Sequence, residues 1–134
     1  MKQETVNMLI EKALAAREAS YSPYSSFAVG AALLAESGEC FTGANIENSS
    51  FSPTVCAERV AFFDAVHSGA RKFCAIAIVG GKAGEPIDEY CAPCGVCRQV
   101  MSEFCDGDFR VILFNGHEHR IYTLDELLPL RFKL

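Results

Sequence analysis

Two short strings, Cys56-Ala57-Glu58-Arg59 and Pro93-Cys94-Gly95-Val96-Cys97-Arg98, constrain this chain more than any other feature. Each opens a helical pattern. From Val55 to about Ser68, Ala57, Val60, Ala61 and Ala65 recur at helical spacing, and Gly69 follows as a stop. Pro93 sits where a first helical residue belongs, and Val96, Val100 and Phe104 mark one face of a helix ending near Asp106-Gly107. Cys94 and Cys97 are three apart, hence on the same face of the first turn, where two sulfurs can grip one ion. If the two N-termini face each other, Cys56 supplies a third sulfur.

The cysteine count supports that reading. There are seven, at positions 40, 56, 74, 91, 94, 97 and 105. An odd number with no secretory pattern argues against a fully paired disulfide framework and for metal binding or catalysis by a clustered subset. No basic stretch followed by an apolar one opens the chain, so no leader is expected. The longest apolar runs, Phe27 to Ala35 and Phe73 to Val79, fall well short of the roughly 20 residues that span a bilayer. With 134 residues, half of them apolar, one compact domain over 1–134 is expected. Twelve Lys and Arg against 17 Asp and Glu give a net charge of −5, with no electrostatic footprint for a nucleic acid polymer.

The remaining pattern alternates helix and strand. Val6, Leu9, Ile10, Ala13 and Leu14 make residues 4–19 an amphipathic helix. Ser20 to Ser26 reads as a loop, and Phe27 to Leu34 and Cys40 to Ile46 as a hairpin around Glu36-Ser37-Gly38-Glu39. Asn48 to Thr54 is a second loop. Phe73 to Val79, bounded by Gly80-Gly81, reads as a buried strand, and Gly80 to Glu89 as a flexible loop. Phe109 to Phe114 and Arg120 to Tyr122 are two further strands, and Thr123 caps a short helix over Leu124 to Leu128. No internal repeat is present. Interleaved helices and strands predict an α/β fold with a helix-flanked mixed sheet.

The chemistry of the two strings is coherent. Helix N-termini favour anions and so help hold thiolates. Three protein ligands leave a fourth tetrahedral position for water, the arrangement of a catalytic zinc. Glu58, two residues from Cys56, can stand beside the ion without ligating it and take the proton of the water whose pKa the ion lowers. Three thiolates on Zn²⁺ leave a net −1, and the Arg59 guanidinium can offset part of it by donating to the sulfurs.

These strings, with Tyr21-Ser22-Pro23-Tyr24-Ser25, Phe27 to Ala32, Asn45-Ile46-Glu47-Asn48 and Pro93 to Gln99, make the sequence similar to the cytidine deaminases of the small, homotetrameric, three-cysteine zinc type. The resemblance covers nearly the whole chain. It implies a three-layer α/β/α sandwich with a five-stranded mixed sheet and one Zn²⁺ per subunit on Cys56, Cys94 and Cys97. It implies hydrolysis of cytidine and 2′-deoxycytidine to the uridine nucleosides and ammonia, in pyrimidine salvage in the cytoplasm. Activated water would add to C4 of the pyrimidine, with Glu58 giving a proton to N3 and then to the departing amine. By the same resemblance Asn45 and Glu47 hold the ribose hydroxyls, Phe27 packs on the base and the Ala57 amide contacts the pyrimidine. It further implies a homotetramer with shared active sites, in which Phe132 reaches a neighbour's pocket. Residues 45 and 47, on alternate strand positions, point to one face, so both can reach one sugar.

The chain departs from that pattern at two places. Phe51 stands where the family usually has tyrosine, and Cys91 where it usually has an apolar residue. Cys91 also creates a second Cys-x-x-Cys register; Pro93 places it outside the helix, which favours Cys94 and Cys97. Alternatives are a closed structural zinc site of Cys56, Cys91, Cys94 and Cys97, which would idle Glu58, and a redox pair, disfavoured because the chain has no tryptophan. Cys40, Cys74 and Cys105 read as inert buried thiols, His67, His117 and His119 as surface or satisfied histidines, and Arg98 as a solvated helix residue. A blasticidin-type or other aminopyrimidine deaminase, a polynucleotide deaminase and a non-enzymatic zinc module are the competing functions. The Asn45 to Asn48 string argues against the first, the acidic balance against the second, and Glu58 against the third.

Overall fold

The computed structural model describes residues 1–134. The chain runs α1 (Gln3–Arg17), β1 (Phe27–Ala35), β2 (Cys40–Ala44), α2 (Ala57–His67), β3 (Phe73–Lys82), α3 (Gly95–Phe104), β4 (Arg110–Phe114), β5 (His119–Thr123) and α4 (Leu124–Leu127). The five strands form one sheet in the order β2-β1-β3-β4-β5. Only β3 and β4 pair in parallel; the other neighbours are antiparallel. The expected five-stranded mixed sheet is present.

Alternation along the strands divides the core in two. Ala31, Leu33, Ala35, Ile76 and Ile78 pack with Ala57, Ala61, Phe62 and Ala65 of α2 and Met101 of α3. On the opposite face, Ala32, Ala75, Ala77, Val79 and Ile112 pack with Val6, Leu9, Ile10 and Ala13 of α1. Helices therefore cover both faces of the sheet.

Topology fixes where the helices begin. β2 and β3 both run antiparallel to β1, so they point the same way, and β4 is parallel to β3. The connections β2-α2-β3 and β3-α3-β4 are thus both crossovers between like-directed strands, and each helix returns along the sheet. The N-termini of α2 and α3 consequently lie at one end of the sheet, where β1 also starts with Phe27.

Glycine lets the helices approach closely. A Cβ at Gly30 would lie 2.1 Å from the Ala13 carbonyl oxygen of α1, and one at Gly43 would lie 2.4 Å from that of Ala57 and 2.6 Å from the Ala61 nitrogen. Gly43 thus seats the first turn of α2.

Three sequence expectations change. Gly80 and Gly81 do not end β3; they are strand residues opposite Val29 and Ala28, and at Gly80 the Cys91 and Phe27 side chains fill the space a Cβ would need. The segment after them is held rather than flexible: buried Arg17 donates to the carbonyls of Ala28 (2.9 Å), Lys82 (2.7 Å) and Glu85 (2.9 Å). β2 stops at Ala44, two residues early, because Ile46 leaves β1 and bridges Tyr21 and Val55 instead.

Replacing Gly43 by alanine should lower stability by about 1–3 kcal/mol, the usual cost of overpacking a dense contact. Gly95→Ala, whose new methyl group would meet open space at the start of α3, should leave the melting temperature unchanged or raise it. Thermal unfolding of the two variants checks this, and an unchanged midpoint for Gly43→Ala would contradict the seating of α2.

Candidate active site

The two helix tips meet. Cys56 and Cys94 are the N-cap residues of α2 and α3, both with extended backbone, and neither side chain caps its helix. Their sulfurs turn instead to each other, 3.8 Å apart, and Cys94 lies 3.5 Å from the Cys97 sulfur. Pro93 precedes the cap, so α3 begins two residues later than the proline suggested; Cys94 and Cys97 span the N-cap and third helical positions.

The three sulfurs form the chain's one cluster of metal-ligating side chains, all within 4.8 Å of one another. Metal–sulfur bonds of about 2.3 Å in a tetrahedron place sulfurs about 3.8 Å apart. The donor set and its spacing therefore fit one zinc ion. Cys91 lies outside the cluster, which leaves the fourth corner without a cysteine.

The sulfurs already share protons. A hydrogen bond from the Cys97 thiol holds Cys56 well below the ordinary thiol range, and Cys97 is correspondingly pushed up. Arg59 sits at the third position of α2, as Cys97 does in α3, and donates to Cys56 Sγ at 3.4 Å. Its Nε is buried without a partner. Arg98 is half-buried, and its hydrogen bonds go to backbone rather than to the sulfurs. It donates to the carbonyls of Pro93 (2.8 Å) and Leu127 (2.7 Å), tying the start of α3 to α4.

Glu58 occupies the apolar stripe of α2. Buried Ala57, Glu58, Ala61, Phe62 and Ala65 form one face, and Glu58 as a residue retains only 4% exposure. Burial pushes its pKa up to about 7, and the Cys56 sulfur adds to that; its own amide, the Cys97 thiol and Arg59 pull the other way. A carboxyl poised there can both accept and release a proton near neutral pH. Beside it the Ala57 amide, in the first turn, donates to nothing within the chain.

Asn45 and Glu47 flank Ile46 in extended chain at the same end of the sheet. Asn45 is buried and its side chain continues the ladder beyond β2. Its Oδ1 accepts from the Val29 amide (2.9 Å) and the Ser20 hydroxyl (2.5 Å), and Nδ2 donates to the Phe27 carbonyl (2.8 Å). Glu47 Oε1 accepts from the amides of Tyr24 (2.9 Å) and Ser25 (3.1 Å), and Oε2 from the Ser25 hydroxyl. That hydroxyl, chiefly, holds Glu47 below the ordinary carboxylate range. Tyr24, Ser25, Glu47, Phe51 and Thr54 line a cleft of about 360 Å³. Phe27 is 42% exposed at the start of β1, and Phe132, 66% exposed, lies in the C-terminal segment, where its carbonyl accepts from the Gln99 side chain of α3 (2.9 Å).

Sequence reasoning missed Ser20 and Ser25, which orient Asn45 and Glu47. Their signal was the serine-rich loop placed just before a strand. Of the other cysteines, Cys105 is buried and Cys40 and Cys74 are half-buried; burial pushes all three thiols up.

Residues 3–113 match the family described as the cytidine and deoxycytidylate deaminase zinc-binding region. The cytidine deaminase of Sporosarcina psychrophila is 54% identical over 92% of this chain and 88% of its own. That of Halalkalibacterium halodurans is 50% identical over 91% of this chain and 89% of its own. The crystal structure of cytidine deaminase from Burkholderia pseudomallei superposes with a TM-score of 0.86 at 44% identity, covering 98% of this chain and 100% of that one. A family match across both helix tips, and relatives sharing about half of all residues, agree with the converging sulfurs: the chain belongs to the cytidine and deoxycytidylate deaminase family of zinc-binding proteins.

Proposed function

We propose that this protein is a zinc-dependent cytidine deaminase, hydrolysing cytidine and 2′-deoxycytidine to uridine, 2′-deoxyuridine and ammonia. The observation that carries the reading is a single buried carboxyl, Glu58, beside a three-sulfur cluster whose fourth corner has no cysteine. Residues 1–134 act as one catalytic domain. Cys56, Cys94 and Cys97 hold the zinc, which when bound supplies a Lewis acid that lowers the pKa of water.

Glu58 is the proton carrier. It takes one proton of the attacking water and passes it to N3 of the pyrimidine as the new bond to C4 forms. It then takes the second proton from the new C4 hydroxyl and passes it to the C4 amine, so that ammonia leaves as C4–N breaks and C4–O becomes a carbonyl. Its buried setting suits both directions, because a carboxylate shielded from water takes up a proton readily and gives it to a nearby base. Arg59, donating to Cys56, offsets part of the negative charge that three thiolates place on the site.

The sugar clamp follows from hydrogen-bond capacity. Both acceptor sites of the Asn45 carbonyl are filled, and one amide hydrogen is left over. Glu47 has three of its roughly four acceptor sites filled. One spare donor beside one spare acceptor suits sugar hydroxyls, each of which both gives and takes a hydrogen bond. Phe27 offers an exposed ring for the base, and the free Ala57 amide a donor for its carbonyl.

The active unit is a homotetramer with shared sites. Exposed Phe51, Leu130, Phe132 and Leu134 leave apolar surface for a second subunit to cover, and Phe132 reaches a neighbour's pocket. Seven free cysteines suit the reducing cytoplasm, and no helix is long and apolar enough to cross a membrane.

Zinc-loaded protein mixed with cytidine should deplete the cytidine ultraviolet band and release an equal amount of ammonia. Loaded, folded protein inert toward cytidine and 2′-deoxycytidine would contradict the proposal. Glu58→Gln should keep its zinc and lose about 10²–10⁴-fold or more in kcat; metal analysis alongside rates checks it, and retained activity would assign proton transfer elsewhere. Removing both sugar hydroxyls, as in 2′,3′-dideoxycytidine, should lower kcat/KM by roughly 10²-fold or more, since the spare Asn45 donor and the spare Glu47 acceptor both go unmet.

Glu58 also makes a pH prediction for the zinc-free protein. Its folded pKa, about 7, lies above its unfolded value, so between those limits the folded state binds more protons and stability falls as pH rises. Glu58→Gln should therefore melt higher than wild type at pH 8, and the gap should narrow toward pH 5. An equal difference at both pH values would show that the carboxyl is not held in an apolar setting.

A further inference from the structure

Cys91 belongs neither to the sulfur cluster nor to the proton path, yet its side chain is packed at the same end of the sheet. Gly80 stands opposite Val29 in the β1–β3 register, and Phe27 is the next residue of β1 on that face. A Cβ at Gly80 would lie 2.7 Å from Cys91 Sγ, 3.0 Å from Cys91 Cβ and 3.1 Å from Cε2 of the Phe27 ring. Thiol and ring edge therefore converge on one point, which only a residue without a side chain leaves vacant. That edge of the ring faces Gly80, while 42% of the residue stays exposed. Two residues, Ala92 and Pro93, separate Cys91 from Cys94, so the segment that delivers a sulfur to the cluster also delivers the prop for the ring.

We propose that Cys91, seated over Gly80, is a positioning residue for Phe27: it fixes the ring against which the pyrimidine packs and so sets substrate affinity rather than the chemical step. The proposal rests on the reading of Phe27 as the residue that packs on the base. The thiol acts by volume and shape, as a small apolar group. Truncation gives the ring room to move, which weakens packing in ground state and transition state alike and raises KM with little effect on kcat.

Steady-state kinetics of the zinc-loaded full chain test it. Cys91→Ala should raise KM for cytidine by about three- to tenfold, the scale of a small hydrophobic contact, with kcat and zinc content held. Cys91→Val, apolar and of similar size, should return KM close to wild type. In a Phe27→Ala background, Cys91→Ala should have no further effect, because the group it positions is gone. If Cys91→Ala does not fold, Gly80→Ala reads the same coupling by inserting a methyl group where ring and thiol meet, and KM should again rise only while Phe27 is present. A KM shift of equal size with and without the Phe27 ring, or a loss of zinc or kcat with KM held, would overturn the proposal. Phe27→Ala raising KM while Cys91→Ala leaves it unchanged would overturn it alone. An unchanged KM in Phe27→Ala itself would overturn the base-packing reading and this proposal together.

Discussion

Three sulfurs from two separate helix tips crowd into one corner, and the rest of the site depends on how that crowding is resolved. At separations near 4 Å and an effective dielectric constant of about 20, two thiolates repel by about 4 kcal/mol. Without a cation the cluster must keep protons, and Cys97 holds on to its own while lowering Cys56. A divalent ion allows all three to ionise, and the Arg59 guanidinium shares the remaining charge. Burial raises Glu58, and the negative Cys56 sulfur adds to that while the Cys97 thiol opposes it. Metal affinity, charge compensation and proton transfer are thus one electrostatic problem.

The sheet supplies the geometry. Two crossovers between like-directed strands bring the starts of α2 and α3 to one end, and β1 starts there too. Gly43 lets α2 settle closely enough for Cys56 and Glu58 to reach the corner. Asn45 replaces a strand residue with its own side-chain amide, so the end of the sheet becomes a polar rim rather than a frayed edge. Each of these devices uses backbone or small residues to place a few reactive groups, consistent with sites being most accurate when built on rigid elements.

Much of this was legible in the chain. The helix starts showed in Gly, Pro and alanine spacing, and the order of elements implied a mixed sheet. Glu58 was legible from its place two residues after Cys56, and the Cys–x–Glu–Arg string carried its own chemistry. What sequence alone misplaced were effects of tertiary contact. Gly80-Gly81 resembles a strand end locally, but both residues pair with β1, and the Cys91 and Phe27 side chains occupy the space over Gly80. Arg98 resembles a solvated helix residue until Pro93 and Leu127 offer it carbonyls from elsewhere in the fold. Ser20 and Ser25 gain meaning only when Asn45 and Glu47 arrive from 25 and 22 residues away.

The central claim is that zinc is held by three sulfurs with a fourth position left to solvent or substrate. X-ray absorption at the zinc edge of the purified, zinc-loaded protein tests it most directly. The account predicts three sulfur neighbours at about 2.3 Å and one lighter oxygen or nitrogen neighbour at about 2.0 Å. A shell of four sulfurs, with Cys91 drawn in to close the site, would contradict it.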